Sequence, residues 1–325
     1  MRTGRRRIPD GLFRASALSG KQRRVARCQL RAAGAFLALV IASGSAAAEC
    51  GAGYECARFE ISADGEWFGV ELRANLANTR PSATLVWISG HSGRDRFSAY
   101  QAELPALLER LAARGVRSIE LTFTNAPAAD GWGGYWPHNR RGHRALAKVL
   151  SAALDAPAVK PWIEGRRVLV ATSNAATAAA YGLASEDWER RFDAMALIAG
   201  PFGIDLGAAC RYPPWNGARL TTWMDQWQGW RGTESCAGGS PPATAPTRSL
   251  FTPDADRRYP QLRIAVVLGS HDELDPWLGT DARVWLAGVE ARTRRLRVVD
   301  APHVVASTAE GRRAIEAAIS ELVGR

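Results

Sequence analysis

The feature that most constrains this chain is a succession of short apolar runs separated, for most of its length, by stretches of helical spacing. Runs at 84–89, 116–124, 167–172, 194–199, 262–268 and 295–299 have the length of strands, and the first, TLVWIS, is apolar without alternation. Continuous short apolar runs suit strands covered on both faces. Between them, Leu104, Leu107, Leu108 and Leu111 recur at helical spacing within 99–114, and helices are expected over 141–154, from Asn174 onward, over 282–291 and over 308–323. Ahead of these, 56–62 and 66–73 flank Asp64-Gly65, a strong two-residue hairpin signal. Two antiparallel strands followed by six with helical crossovers predict an α/β fold: an eight-stranded, mostly parallel, doubly wound sheet in a single domain over 49–325. The one interruption is 200–260, between the sixth and seventh strands. It holds Pro213-Pro214 and a low-complexity stretch at 238–246, and is expected to be a cap or lid insertion.

Charge divides the chain unevenly. It carries 42 Lys+Arg against 32 Asp+Glu, a formal net charge of +10. Ten of those bases and a single acid, Asp10, lie within 1–48, so the remainder is close to neutral. That excludes a basic nucleic-acid-binding body. The basic block runs into an apolar segment at 32–41 and then Ala46-Ala47-Ala48, the three parts of a secretory signal peptide in their usual order. Cleavage after Ala48 and a periplasmic or extracellular product are expected. The apolar segment is shorter than the roughly 20 residues that span a bilayer, and no later one approaches that length, so no membrane anchor is expected.

Cys28 would leave with the leader, and four cysteines would remain: Cys50, Cys56, Cys210 and Cys236. An even number in an exported chain reads as disulfides, with three connectivities open. The local pairs Cys50–Cys56 and Cys210–Cys236 are expected, because each closes a short segment with few other structural signals. No C-x-x-C or clustered histidine accompanies them, so no metal is expected.

The chemistry concentrates where strands end. The strand at 167–172 leads into Ala171-Thr172-Ser173-Asn174-Ala175-Ala176 and directly into an Ala-rich helix. Here the sequence resembles the α/β-hydrolase superfamily, whose nucleophile elbow is a strand, then small-x-Ser-x-small, then a helix. Ala171 and Ala175 stand where glycines are usual. Taken alone, the same residues also suit a plain helix cap, with Ser173 or Asn174 satisfying first-turn amides.

The later segments extend the resemblance. Gly269-Ser270-His271-Asp272-Glu273-Leu274-Asp275-Pro276 follows the seventh strand and resembles the family's acid-bearing turn, which implies Asp272 as the acid. Asp275 and Asp205 are lesser candidates. Asp300-Ala301-Pro302-His303 follows the eighth strand and places His303 where the family carries its base. The order Ser173, Asp272, His303 agrees with the order expected of the fold. The resemblance further implies an oxyanion hole from the backbone N–H of Asn174 and that of His91. The latter sits in Ser89-Gly90-His91-Ser92-Gly93, which is similar to the family's H-G-x turn with Ser89 in place of the histidine.

Seven of the twelve tryptophans fall in segments that leave strand ends, among them Trp132, Trp136, Trp223, Trp227 and Trp277. These five are expected to line an aromatic substrate pocket, although for most of these tryptophans packing of the cap onto the body is the plainer reading. The implied function is an exported serine hydrolase that cleaves a small-molecule or polymeric carboxylic ester through an acyl-enzyme, without cofactor. Amide hydrolysis or acyl transfer by the same residues, and a catalytically silent binding protein of the same fold, remain open. The sequence assigns no oligomeric state.

Overall fold

The computed structural model describes residues 50, 53–75, 80–90, 93–99, 103–124, 142–211, 224–225, 227–230, 235–236, 242–252, 255–274 and 277–324. The expected leader over 1–48 lies outside them. Eight strands are present: β1 (Tyr54–Ala63), β2 (Glu66–Asn75), β3 (Ala83–Ile88), β4 (Val116–Thr124), β5 (Arg166–Thr172), β6 (Ala194–Ile198), β7 (Arg258–Gly269) and β8 (Glu290–Val299). The described helices are α1 (Leu104–Ala113), α2 (His143–Asp155), α3 (Asn174–Ser185), α4 (Leu206–Arg211), α5 (Ala245–Arg248), α6 (Trp277–Gly288) and α7 (Ala309–Val323).

All eight strands join one sheet in the order β1-β2-β4-β3-β5-β6-β7-β8. β1 pairs β2, and β2 pairs β4, antiparallel; every other pairing is parallel. The hairpin turn is Asp64-Gly65, with φ of 50° and 82°. Two successive positive φ values are what a type I′ turn requires, and they match the twist of the strands it joins.

The apolar runs are continuous because both faces of the central strands are covered. Leu85 and Trp87 of β3, Val168 and Val170 of β5, and Ala196 and Ile198 of β6 pack with α1 and α7. The alternate residues Val86, Ile88, Leu169, Ala171, Met195 and Leu197 pack with α2, α3 and α6 on the other face. Two-residue alternation thus deals each strand's apolar side chains to two helix layers.

Some boundaries differ from expectation. β7 begins at Arg258 and β8 at Glu290, both earlier than their apolar cores, and the helix expected over 282–291 lies instead at Trp277–Gly288. β8 is an edge strand with much of its length exposed, so Arg292, Arg294, Arg295 and Arg297 are tolerated there and hide the strand from an apolarity reading. A Cβ at Gly288 would lie 2.8 Å from the Phe251 ring, so the end of this helix approaches that ring closely, and β8 starts two residues later.

The segment between β6 and β7 carries α4 and α5. It builds a small cluster of its own from Phe202, Leu206, Met224, Trp230, Cys236 and Ala245. Disulfides join Cys50 to Cys56 and Cys210 to Cys236, the second one stapling this segment.

Asp281 on α6 ties the start of that segment down. Its Oδ2 accepts the backbone N–H of Gly203 at 2.7 Å and of Ile204 at 3.2 Å. Burial pushes its carboxyl up to about 6, against the lowering effect of those two donors. The unfolded chain loses this proton near 3.8, so the folded state binds it more tightly and is penalised as pH rises from about 4 to 6. A shift of about two pKa units corresponds to about 3 kcal/mol. D281N keeps an oxygen acceptor for both amides and carries no charge. Chemical denaturation at pH 4 and pH 7 is therefore expected to show D281N gaining about 3 kcal/mol on the wild type between the two values. Parallel behaviour of the two proteins contradicts this account.

Candidate active site

β5 ends at Thr172, and the chain turns at Ser173 into α3 with φ of 49° and ψ of −117°. A non-glycine residue held at positive φ costs roughly 1–3 kcal/mol and persists only where its surroundings enforce it. Here they do. The Ser173 N–H donates to Ile198 O at 2.7 Å, and the Thr177 N–H donates to Ser173 O at 3.1 Å. Ala171, Ala175 and Ala176 are fully buried around the turn. A Cβ on Gly90 would lie 2.7 Å from the Ser173 Cβ and 2.6 Å from Thr172 O, so the loop after β3 approaches the turn closely only because residue 90 has no side chain. The Gly90 N–H also donates to Thr172 Oγ1 at 2.8 Å. The Ser173 side chain makes no capping bond, which removes the plain-cap reading of this residue.

Two further loops converge on the serine. His303, after β8, places Nε2 2.9 Å from Ser173 Oγ. Asp272, after β7, places Oδ2 2.8 Å from His303 Nδ1. Its other oxygen, Oδ1, accepts the Leu274 N–H at 2.9 Å, so both carboxylate oxygens are committed. Asp272 is 5% exposed, which leaves this pair little access to water. The loops meet because Gly269 ends β7: a Cβ there would lie 2.2 Å from Ala301 O. The His271 N–H then donates to Ala301 O at 3.0 Å, and the His303 N–H donates to Glu273 Oε2 at 3.2 Å.

Ser173, His303 and Asp272 are therefore brought together in one hydrogen-bonded line. Asn174 opens α3 at the positive end of its dipole, immediately after the serine. Asp205 does not take part; its Oδ1 accepts the Ala208 N–H and caps α4. His91, Asp275, Trp132, Trp136 and Trp223 lie outside the described residues, as does the side chain of Trp277.

A cavity of about 260 Å³ opens on Ser173 and His303. Phe97, Ile198, Ala199, Val305 and Ala306 form its buried walls, and Asp95 and Val304 its exposed end. Trp227, expected in the pocket, is not among these walls. It packs instead against Phe202 and His143, with ring centroids 5.1 and 6.1 Å away, on the α2–α3 face of the sheet. The cavity walls belong to the opposite, α1–α7 face.

Phe97 is held firmly. Its ring stacks on Trp87 at 4.3 Å, and the neighbouring Ser98 donates its N–H and Oγ–H to the buried carboxylate of Glu120 at 2.8 and 2.9 Å. The Arg73 guanidinium binds the same carboxylate at 3.2 Å. Sequence reasoning missed these walls. Their signal was positional, since each lies at or beyond a strand end on the carboxyl edge where ligands bind in such sheets.

His143, the first residue of α2, is 1% exposed, and burial pushes its imidazole down to about 3. Gln228 Nε2 lies 2.8 Å from its Nδ1. Among the described residues no group of three or more His, Cys, Asp or Glu side chains is disposed to hold a metal ion, and no helix is long and apolar enough to cross a membrane.

No family model matches this chain, and no curated protein matches it in sequence. Solved structures do. One from a structural and mechanistic study of two prolyl endopeptidases has a TM-score of 0.56 at 12% identity, covering 83% of this chain, which spans only 38% of that one. A putative hydrolase from Agrobacterium vitis S4 has a TM-score of 0.52 at 15% identity, with 83% of this chain and 99% of the other covered. Esterase Est22 has a TM-score of 0.51 at 17% identity, with 83% and 80% covered.

Proposed function

We propose that this chain, which has the α/β-hydrolase fold, is a serine hydrolase that cleaves carboxylic esters carrying a small apolar acyl group. The observation that carries the proposal is the line Ser173 Oγ, His303, Asp272, with separations of 2.9 and 2.8 Å, built on a serine held at positive φ. A positive φ at this serine supports a nucleophile, because the turn lifts its hydroxyl clear of the sheet edge.

In this reading His303 Nε2 takes the Ser173 proton as Oγ attacks the ester carbonyl, then returns it to the departing alcohol. Asp272 holds the imidazole with its proton on Nδ1 and stabilises the imidazolium that forms. The Asn174 N–H is one donor to the developing oxyanion, and the His91 N–H is proposed as the second. Water then attacks the acyl-enzyme by the same route in reverse. Each step uses side chains and backbone of this chain and calls for no cofactor or metal.

The cavity supports the choice of substrate. An apolar cavity of about 150 Å³ admits benzene, so about 260 Å³ admits roughly ten non-hydrogen atoms. The segment between β6 and β7 is proposed as a cap. The basic, apolar and A-x-A parts of 1–48, together with the two disulfides, support an exported protein.

A p-nitrophenyl ester series from acetyl to palmitoyl tests the substrate assignment. Each buried methylene contributes about 0.8 kcal/mol, a roughly fourfold gain in kcat/KM. Activity is expected to climb to an acyl length of about eight carbons and to fall for longer chains. A flat profile, or one still rising at palmitoyl, contradicts the assignment.

A further inference from the structure

Two buried carboxylates take no part in the mechanism, and both bear on one wall of the cavity. Glu71 of β2 and Glu120 of β4 are 6% and 2% exposed. Their neighbours Leu72, Ile119 and Leu121 pack on the α2–α3 face of the sheet. Strand alternation therefore turns both acids to the α1–α7 face, where Phe97 and the other cavity walls lie.

Each acid holds one of the two residues that flank Phe97. Glu120 accepts the Ser98 N–H through Oε1 at 2.8 Å and the Ser98 Oγ–H through Oε2 at 2.9 Å. Glu71 binds the Arg96 guanidinium through Oε1 and that of Arg58 through Oε2, the latter at 2.9 Å. Arg73 stands opposite Glu120 in the β2–β4 pairing and donates to Glu120 Oε2 at 3.2 Å and to Ser98 Oγ at 3.1 Å. Arg73 is fixed in turn, since its Nε donates to Cys50 O at 3.3 Å and its guanidinium lies 3.5 Å from the centre of the Tyr54 ring. The Phe97 ring rests on Trp87, which stands opposite Glu120 in the β3–β4 pairing.

Stability alone does not call for this arrangement. Taking paired charges out of water is unfavourable unless their geometry is excellent, and apolar residues of similar volume often leave a fold equally or more stable. What directional bonds on both flanks supply is one fixed position for the turn Phe97–Ala99. Phe97 is the largest side chain lining the cavity, and the other buried walls are Ile198, Ala199, Val305 and Ala306.

We infer that Glu120 is a specificity-determining positioning residue: by clamping Ser98, with Glu71 securing Arg96 on the other flank, it holds the Phe97 ring as the stop that limits acyl length. Glu120 touches neither substrate nor the reacting atoms. The inference rests on the serine-hydrolase reading and names the device behind the expected chain-length limit.

The test reads the ratio of kcat/KM for p-nitrophenyl decanoate to that for the octanoate, a ratio that a uniform loss of activity leaves unchanged. Three variants of the full chain are compared with wild type, each with its thermal unfolding. F97A removes the stop, R73M/E120L removes one arm of the clamp without stranding either charge, and S98A removes the hydroxyl shared by Glu120 and Arg73. Each methylene that gains a seat raises kcat/KM about fourfold. F97A admits two more and is expected to raise the ratio about 16-fold. R73M/E120L is expected to raise it about tenfold and S98A about fourfold, because the ring is freed but still present.

A folded R73M/E120L variant whose ratio stays within about twofold of wild type overturns the inference, including one that loses activity equally on both esters, as a merely structural clamp would make it do. A wild-type ratio in F97A overturns it as well, since the ring is then no stop. Should R73M/E120L fail to fold, S98A decides alone, and a wild-type ratio in that variant overturns the clamp. Wild-type protein that hydrolyses no ester of the series removes the serine reading and the inference with it. Wild-type protein with the expected chain-length limit, which the variants leave in place, removes the inference alone.

Discussion

Replacing Ser173 with alanine is expected to lower kcat on an accepted ester by about 10⁶-fold, close to the uncatalysed rate plus what the oxyanion donors and the pocket still supply. A loss of that size corresponds to about 8 kcal/mol of barrier and is far outside what a change of packing produces. The fold is expected to survive. Alanine at 173 keeps the Cβ and the backbone conformation, and the N–H bond to Ile198 O and the carbonyl bond from Thr177 are backbone interactions that persist. The melting temperature should therefore move little. S173G is the informative companion, because glycine relieves the positive-φ strain at φ of 49° and is expected to be as inactive as S173A but more stable. Steady-state rates and thermal unfolding of the two variants check both halves. Residual activity in S173A within tenfold of wild type contradicts the nucleophile assignment.

D272N is expected to cost about 10⁴-fold in kcat with little change in KM. The reason lies in the second hydrogen bond of the carboxylate. Oδ1 accepts the Leu274 N–H at 2.9 Å while Oδ2 faces His303 Nδ1 at 2.8 Å. An asparagine has one acceptor to offer. Turning its oxygen to Leu274 points its NH₂ at His303 Nδ1, which then must accept, and the ring proton moves to Nε2. A protonated Nε2 cannot take the Ser173 proton. Turning the amide the other way restores the histidine but sets NH₂ against the Leu274 N–H inside a site that is 5% exposed at residue 272. Either arrangement loses function. Kinetics of D272N beside L274P, which removes that N–H, separate the cases: the double variant is expected to recover part of the loss if the tautomer is the cause. Wild-type kcat in D272N contradicts the role of the acid.

Most of the fold was legible because the central strands are buried on both faces. A strand such as 84–89 announces itself by apolarity alone, and the helices between strands by their spacing. β8 was legible only in part, since as an edge strand it alternates with arginines that an apolarity reading takes for loop. The three residues of the line Ser173, His303 and Asp272 were legible for a related reason. In a parallel sheet the residues that follow strand ends collect on one edge, so chain position nearly specifies proximity.

The cavity walls were not legible by the same argument, because which face of the sheet a loop leans over depends on packing. Phe97 belongs to the α1–α7 face by stacking on Trp87, and Trp227 to the opposite face by packing on Phe202. Nothing in their spacing separates the two.

The most direct test of the central claim is active-site labelling of the folded protein with a fluorophosphonate, followed by peptide mass analysis, on wild type and S173A side by side. The account predicts one phosphonyl adduct per wild-type chain, located on Ser173, prevented by prior incubation with a slowly turned-over ester and absent from S173A. An adduct that persists in S173A, or a folded wild type that takes up no label, would contradict it.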